Sequence, residues 1–133
     1  MKLKNSQLYP VLNYLQSLTL PAQVSRAKTK IVGKINDILP ELSRDENDLI
    51  VRFNGQQVDQ GVDFGTIENR QAYQTEWDKL MNETVIIMIS EYPTLEQALK
   101  DYFMSYDGDI APEYADAFDA FYDALEIEEN EEN

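Results

Sequence analysis

Three basic side chains stand at four-residue intervals in this chain: Arg26, Lys30 and Lys34. On a helix that spacing makes one row along one face. A row of cations neutralises phosphates or carboxylates, so one use for it is an anion contact. A second row, of the opposite sign, stands far along the chain: Asp116, Asp119 and Asp123. Its spacing also shares one helix face, opposite Tyr114, Phe118, Phe121, Tyr122 and Leu125. A helix with aromatics on one side and carboxylates on the other suits a partner's groove. Each row also has a plainer use, as the solvated face of a surface helix. These six charged residues are the candidate partner-binding side chains.

Other chemistry is thinly represented. Asp107, Asp109 and Glu113 crowd one turn, which suggests oxygen ligands for a hard cation. Gly108 separates the two aspartates and no glutamate closes a calcium loop, so the expected reading is a turn followed by acids at a helix N-terminus. The chain holds no histidine and no cysteine, which removes the usual general base, the usual zinc ligands and any disulfide. No glycine-rich phosphate loop, nucleophile elbow or metal-binding helix motif is present. The expectation is a protein that is not an enzyme and uses no cofactor or metal.

Charge is sorted along the chain. Residues 1–36 carry six bases and no acid, whereas residues 53–133 carry twenty acids against three bases, within an overall charge of −14. A field of this kind repels a polyanion, and no basic–aromatic interleaving offers stacking platforms for bases. The charge therefore argues against nucleic acid and for a protein partner. The row Arg26, Lys30, Lys34 is expected to face acids of the C-terminal half, within one chain or across a homo-oligomer. No apolar run approaches the ~20 residues of a membrane span, the longest being Val85–Ile89, and no signal peptide is evident.

Apolar periodicity supplies the elements that would carry these rows. A first helix is expected over Ser6–Leu18, with Pro10 near its first turn. A second is expected over Ala22–Leu39, with Val24, Ala27, Ile31, Ile35 and Ile38 as its stripe and Pro40 as its stop. Residues 43–55 read either as a helix opened by the capping pattern Ser43–Glu46 and closed at Gly55, which is favoured, or as a hairpin arm over Leu49–Phe53. Gln56–Thr66 reads as a loop or small exposed hairpin. A helix follows over Ile67–Met81, then a short buried strand over Val85–Ile89. Thr94–Gln97 is a second capping pattern, opening a helix with Leu95, Leu99, Tyr102 and Tyr106 aligned. The last helix opens at Pro112. Seven of the fourteen aromatics lie between Tyr102 and Tyr122 and form either core or an exposed binding face. The expected fold is mainly α: a compact domain of about five to six helices with one or two short β-strands, over 1–126, followed by an acidic flexible tail at 127–133.

The opening Met1–Asn5, the run Leu12–Leu15 and the segment Ser25–Lys28, with the acidic segment Ser43–Asp48 and the helix Tyr114–Glu126, resemble a small family encoded by phages and prophages of Gram-positive bacteria. The resemblance implies a setting: a phage accessory or late-gene product in the host bacterial cytoplasm or the virion. Combined with the charge, it gives two expectations for function. One is a virion-associated or assembly component acting by protein–protein interaction with a phage or host partner. The alternative is an acidic DNA-mimic inhibitor of a host nucleic-acid-binding defence protein.

Overall fold

The structure is a computed structural model that describes the backbone of residues 1–132 and the side chains of residues 1–128. It is mainly α, with five α-helices and two short antiparallel strand pairs. The order is β1 (Lys2–Lys4), α1 (Asn5–Gln16), α2 (Ala22–Arg52), β2 (Gln56–Val58), β3 (Gly61–Asp63), α3 (Ile67–Asn82), β4 (Thr84–Ile86), α4 (Pro93–Met104) and α5 (Ala115–Glu132). A single 3₁₀ turn, Pro112–Tyr114, leads into α5.

The two expected helices over residues 22–55 are one. The α2 helix runs 31 residues straight through Pro40, burying Val24, Ala27, Ile31, Ile35, Leu39 and Leu42 in unbroken three- and four-residue steps. An interior proline costs about 3 kcal/mol, and burying one leucine returns about 1.5–3 kcal/mol, so Leu39 and Leu42 together outweigh it. Pro40 itself is exposed, so the carbonyl it leaves without a donor faces water. Ser43–Glu46 therefore lie inside a helix and cap nothing. The end of α2 is set by Asn54, which takes the left-handed conformation at φ 61°, while the Gly55 N–H donates to Ile50 O at 2.7 Å. Asn54 thus holds the position expected of Gly55.

Two other helix ends also differ from expectation. Pro10 lies beyond the first turn of α1, exposed like Pro40. The α4 helix starts at Pro93, where a missing N–H costs nothing, so Thr94 sits inside the first turn and no side chain caps that end. The α3 helix opens on Thr66, whose hydroxyl accepts from the Asn69 N–H at 3.1 Å.

The expected strand near Val85 is shorter and only half buried. Its partner is β1, which no periodicity within residues 1–5 marks as a strand. Lys2 stands opposite Ile86, Leu3 opposite Val85 and Lys4 opposite Thr84. Ile87 and Ile89 point inward, at 2% and 3% exposure, while Ile86 and Met88 point outward. Asn5 ties this ribbon to α3, its Nδ2 donating to Leu80 O at 2.9 Å. The β2–β3 hairpin closes through Asp59–Gln60 and lies on the surface, with Phe64 just beyond it stacked on Tyr73 at 4.6 Å.

One hydrophobic core draws on all five α-helices, with Leu8, Leu15, Ile31, Ile35, Leu99, Phe103, Phe121 and Leu125 among its fully buried members. The face that α5 buries is Ala117, Phe121, Ala124 and Leu125, whereas Tyr114, Phe118 and Tyr122 are half-buried at its margin. The small alanines let α5 approach closely enough to seat Phe121 edge-on against Phe103, centroids 5.0 Å apart. The segment set apart as a tail, 127–133, lies within the last turns of α5 as far as Glu132; its final residue and the side chains from 129 onward are outside the described residues.

Candidate partner-binding surfaces

The α2 helix presents Arg26, Lys30 and Lys34 on one flank, beside the turn that enters α4. Lys34 Nζ lies 2.8 Å from Glu91 Oε1. Lys30 Nζ sits 4.0 Å from the centroid of the Tyr92 ring, within cation–π range. Arg26 lines a shallow depression with Gln23, Glu91, Tyr92 and Pro93. The hydrogen bond from Lys34 holds the Glu91 carboxyl below the usual carboxylate range, with a backbone hydrogen bond adding to it. The basic row is thus covered in part by one acid and one aromatic of the C-terminal half. Lys28, one step round the helix, donates from Nζ to Leu18 O at 3.2 Å.

The acidic row stands elsewhere. Asp116, Asp119 and Asp123 are exposed on the outer face of α5, and none of them makes an ion pair among the described residues. The fold does not bring the two rows together: Lys34 pairs with Glu91 and Lys30 lies on Tyr92, while Arg26 makes no ion pair among the described residues. Asp107, Asp109 and Glu113 form no cluster able to hold a metal ion, and no such cluster exists among the described residues.

A third surface carries neither row and was not singled out in the sequence. At one end of the molecule the β1–β4 ribbon meets α5. Ile86, Met88 and Ile127 stand 63%, 48% and 55% exposed there. They border a groove of about 390 Å³, lined also by Met1, Lys2, Ala124 and Glu128. The Met1 ammonium closes its floor, 3.0 Å from Glu128 Oε2 and donating to Ile87 O at 2.9 Å.

The ribbon's hydrogen bonds fix which way the edge faces. Met1 and Ile87 bond to each other, and the Asn5 N–H donates to Glu83 O at 2.9 Å. In an antiparallel pair the residues between such pairs turn their N–H and C=O outward. Thr84 and Ile86 therefore direct both groups away from β1, and among the described residues no backbone group meets them there. The only signal for this surface is the unbroken apolar run Val85–Ile89, which reads as a strand buried on both faces until its partner shows which side is covered.

Among the described residues no helix is long and apolar enough to cross a membrane. No protein-family model, curated protein or solved structure matches this chain.

Proposed function

We propose that this chain is a non-enzymatic binding protein that takes a protein partner on the outer edge of β4. The observation that carries this reading is the unpaired edge at Thr84 and Ile86, set beside the exposed apolar group Ile86, Met88 and Ile127. An extended partner segment adds a strand there, bonding main chain to main chain, and its alternate side chains cover the apolar group. A free strand edge flanked by apolar side chains otherwise invites unspecific association, which natural sheets avoid. The phage or prophage accessory role, in the host cytoplasm or the virion, rests on the resemblance carried by the opening and the acidic segments.

The test is capture from host and phage-infected lysates at low and high salt, by the native chain and by Ile86→Asp/Met88→Asp. Both substituted side chains point out of the core, so the fold is retained. Captured partners are then purified and titrated against both forms. The expected result is a complex that persists in high salt and loses at least about tenfold in affinity in the double variant. A complex that dissolves steeply with salt and ignores the variant overturns the edge reading. That outcome favours the acidic row Asp116, Asp119, Asp123 and the DNA-mimic alternative, in which carboxylates occupy a phosphate-binding surface.

A further inference from the structure

A second site lies away from that edge, where the C-terminal ends of α1 and α4 meet. Tyr14 and Leu18 come from the end of α1, Tyr102, Phe103 and Tyr106 from the end of α4, and Ile110 from the connection to α5. Together they line a pocket of about 170 Å³. That is on the scale of the roughly 150 Å³ cavity that takes up a benzene-sized molecule. The walls are held in place. The Tyr106 hydroxyl donates to Asp109 O at 2.9 Å, folding its ring over Gly108, where a Cβ would lie 2.6 Å from that hydroxyl. Tyr14 is wedged against Tyr114 and Phe118, with centroids 5.7 and 6.0 Å away.

Tyr14 is the unusual member. Its side chain is 3% exposed, yet its hydroxyl makes no hydrogen bond to any described residue. A buried hydroxyl without a partner is costly, so such a group is ordinarily satisfied by water or by something bound. Burial first, then the neighbouring hydroxyls of Tyr106 and Tyr102, pushes its pKa up to about 12, so it stays neutral and able both to donate and to accept.

The electrostatics select the charge of an occupant. The titratable groups in the wall are three tyrosines and Asp109, with no base. The last turns of two helices deliver the negative ends of their dipoles to the same place. Tyrosine faces attract cations through their quadrupole.

We propose that this pocket binds a small organic ammonium group, with the cation against the faces of Tyr102 and Tyr106 and a polar substituent on the Tyr14 hydroxyl. Calorimetric titration of the full chain with choline tests it, beside the neutral isostere 3,3-dimethylbutan-1-ol and tetramethylammonium. Choline should saturate and bind about tenfold or more tightly than the isostere. Tyr102→Leu, at a half-buried wall, should weaken choline by a similar factor with helix content unchanged. Tyr14→Phe should weaken choline several-fold and leave tetramethylammonium, which has no hydroxyl, unaffected. Cosedimentation with phosphatidylcholine vesicles, competed by free choline, separates a lipid headgroup from a soluble amine. Equal binding of the isostere, or no binding of any probe because the pocket holds only water, overturns the proposal.

Discussion

The flank of α2 and the outer edge of β4 treat exposure in opposite ways. The flank is charged, and the chain answers it: Lys34 meets Glu91 and Lys30 lies on Tyr92. The edge is apolar, and nothing among the described residues covers it: Ile86 and Met88 stand in water beside unpaired backbone groups. A charge at the surface is well solvated whether or not it is paired, so pairing there contributes little and marks no site. An exposed apolar side chain on a free strand edge gains only when something covers it. The surface that looked richest in chemistry is therefore the less informative of the two.

Substitutions can break that contrast, and the largest effect lies under the ribbon. Leu3 is 1% exposed on the inner face of β1. Leu3→Ala should cost about 2–5 kcal/mol by leaving a cavity, whereas Ile86→Ala, on the outer face of the same ribbon, should stay within about 0.5 kcal/mol. Urea denaturation of the two variants measures the difference. Equal losses would mean that Ile86 is part of the core and not available to a partner.

The next effect concerns the helix behind the flank. Pro40 interrupts the bonding of α2 while facing water. Pro40→Ala should raise stability, by up to about 3 kcal/mol, because the missing N–H is restored and no contact is lost. A rise in the thermal midpoint with unchanged helix content is the expected result. A fall would show that the proline sets a bend on which the placement of Lys30 and Lys34 depends.

The smallest effect is at the flank itself. Lys34→Met should leave the thermal midpoint nearly unmoved, since both partners of the pair are about half exposed. The sharper readout is the Glu91 carboxyl followed by NMR across acid pH. Its folded pKa is held down by Lys34, so the contact is present above the unfolded value and is lost as pH falls through the lowered one. In Lys34→Met the titration should move up toward the ordinary carboxylate range, with the backbone hydrogen bond still holding it partly down. An unchanged titration would mean that the backbone hydrogen bond, and not Lys34, holds Glu91 ionised.

The candidate surfaces were legible to unequal degrees. The row Arg26, Lys30, Lys34 could be read from spacing alone, but its neighbours Glu91 and Tyr92 could not, because they come from a turn nearly sixty positions away. Lys100 counted as one of three bases in an acidic half, and nothing near it in sequence marks it as buried. It is 1% exposed on the core face of α4, 3.7 Å from Glu96. The aromatics of 102–122 are conspicuous by number, yet Phe103 and Phe121 seal the core while Tyr102 and Tyr106 line a pocket with Tyr14, a division that only the packing of α1, α4 and α5 decides.

What the sequence by itself determined is the helical content and the buried stripes, because three- and four-residue periodicity is a local property of one segment. Val24, Ala27, Ile31 and Ile35 are buried as their spacing requires. What only the tertiary structure decided is where local signals yield. The signals at Pro40 and Ser43–Glu46 yield because burying Leu39 and Leu42 on the same stripe is worth more than a stop or a cap. Strand β1 exists because Lys2–Lys4 finds Thr84–Ile86 some eighty residues away, and no window short enough to show periodicity contains both partners. The direction in which Ile86 faces follows from that pairing, since a strand shows its two sides only once one of them is covered.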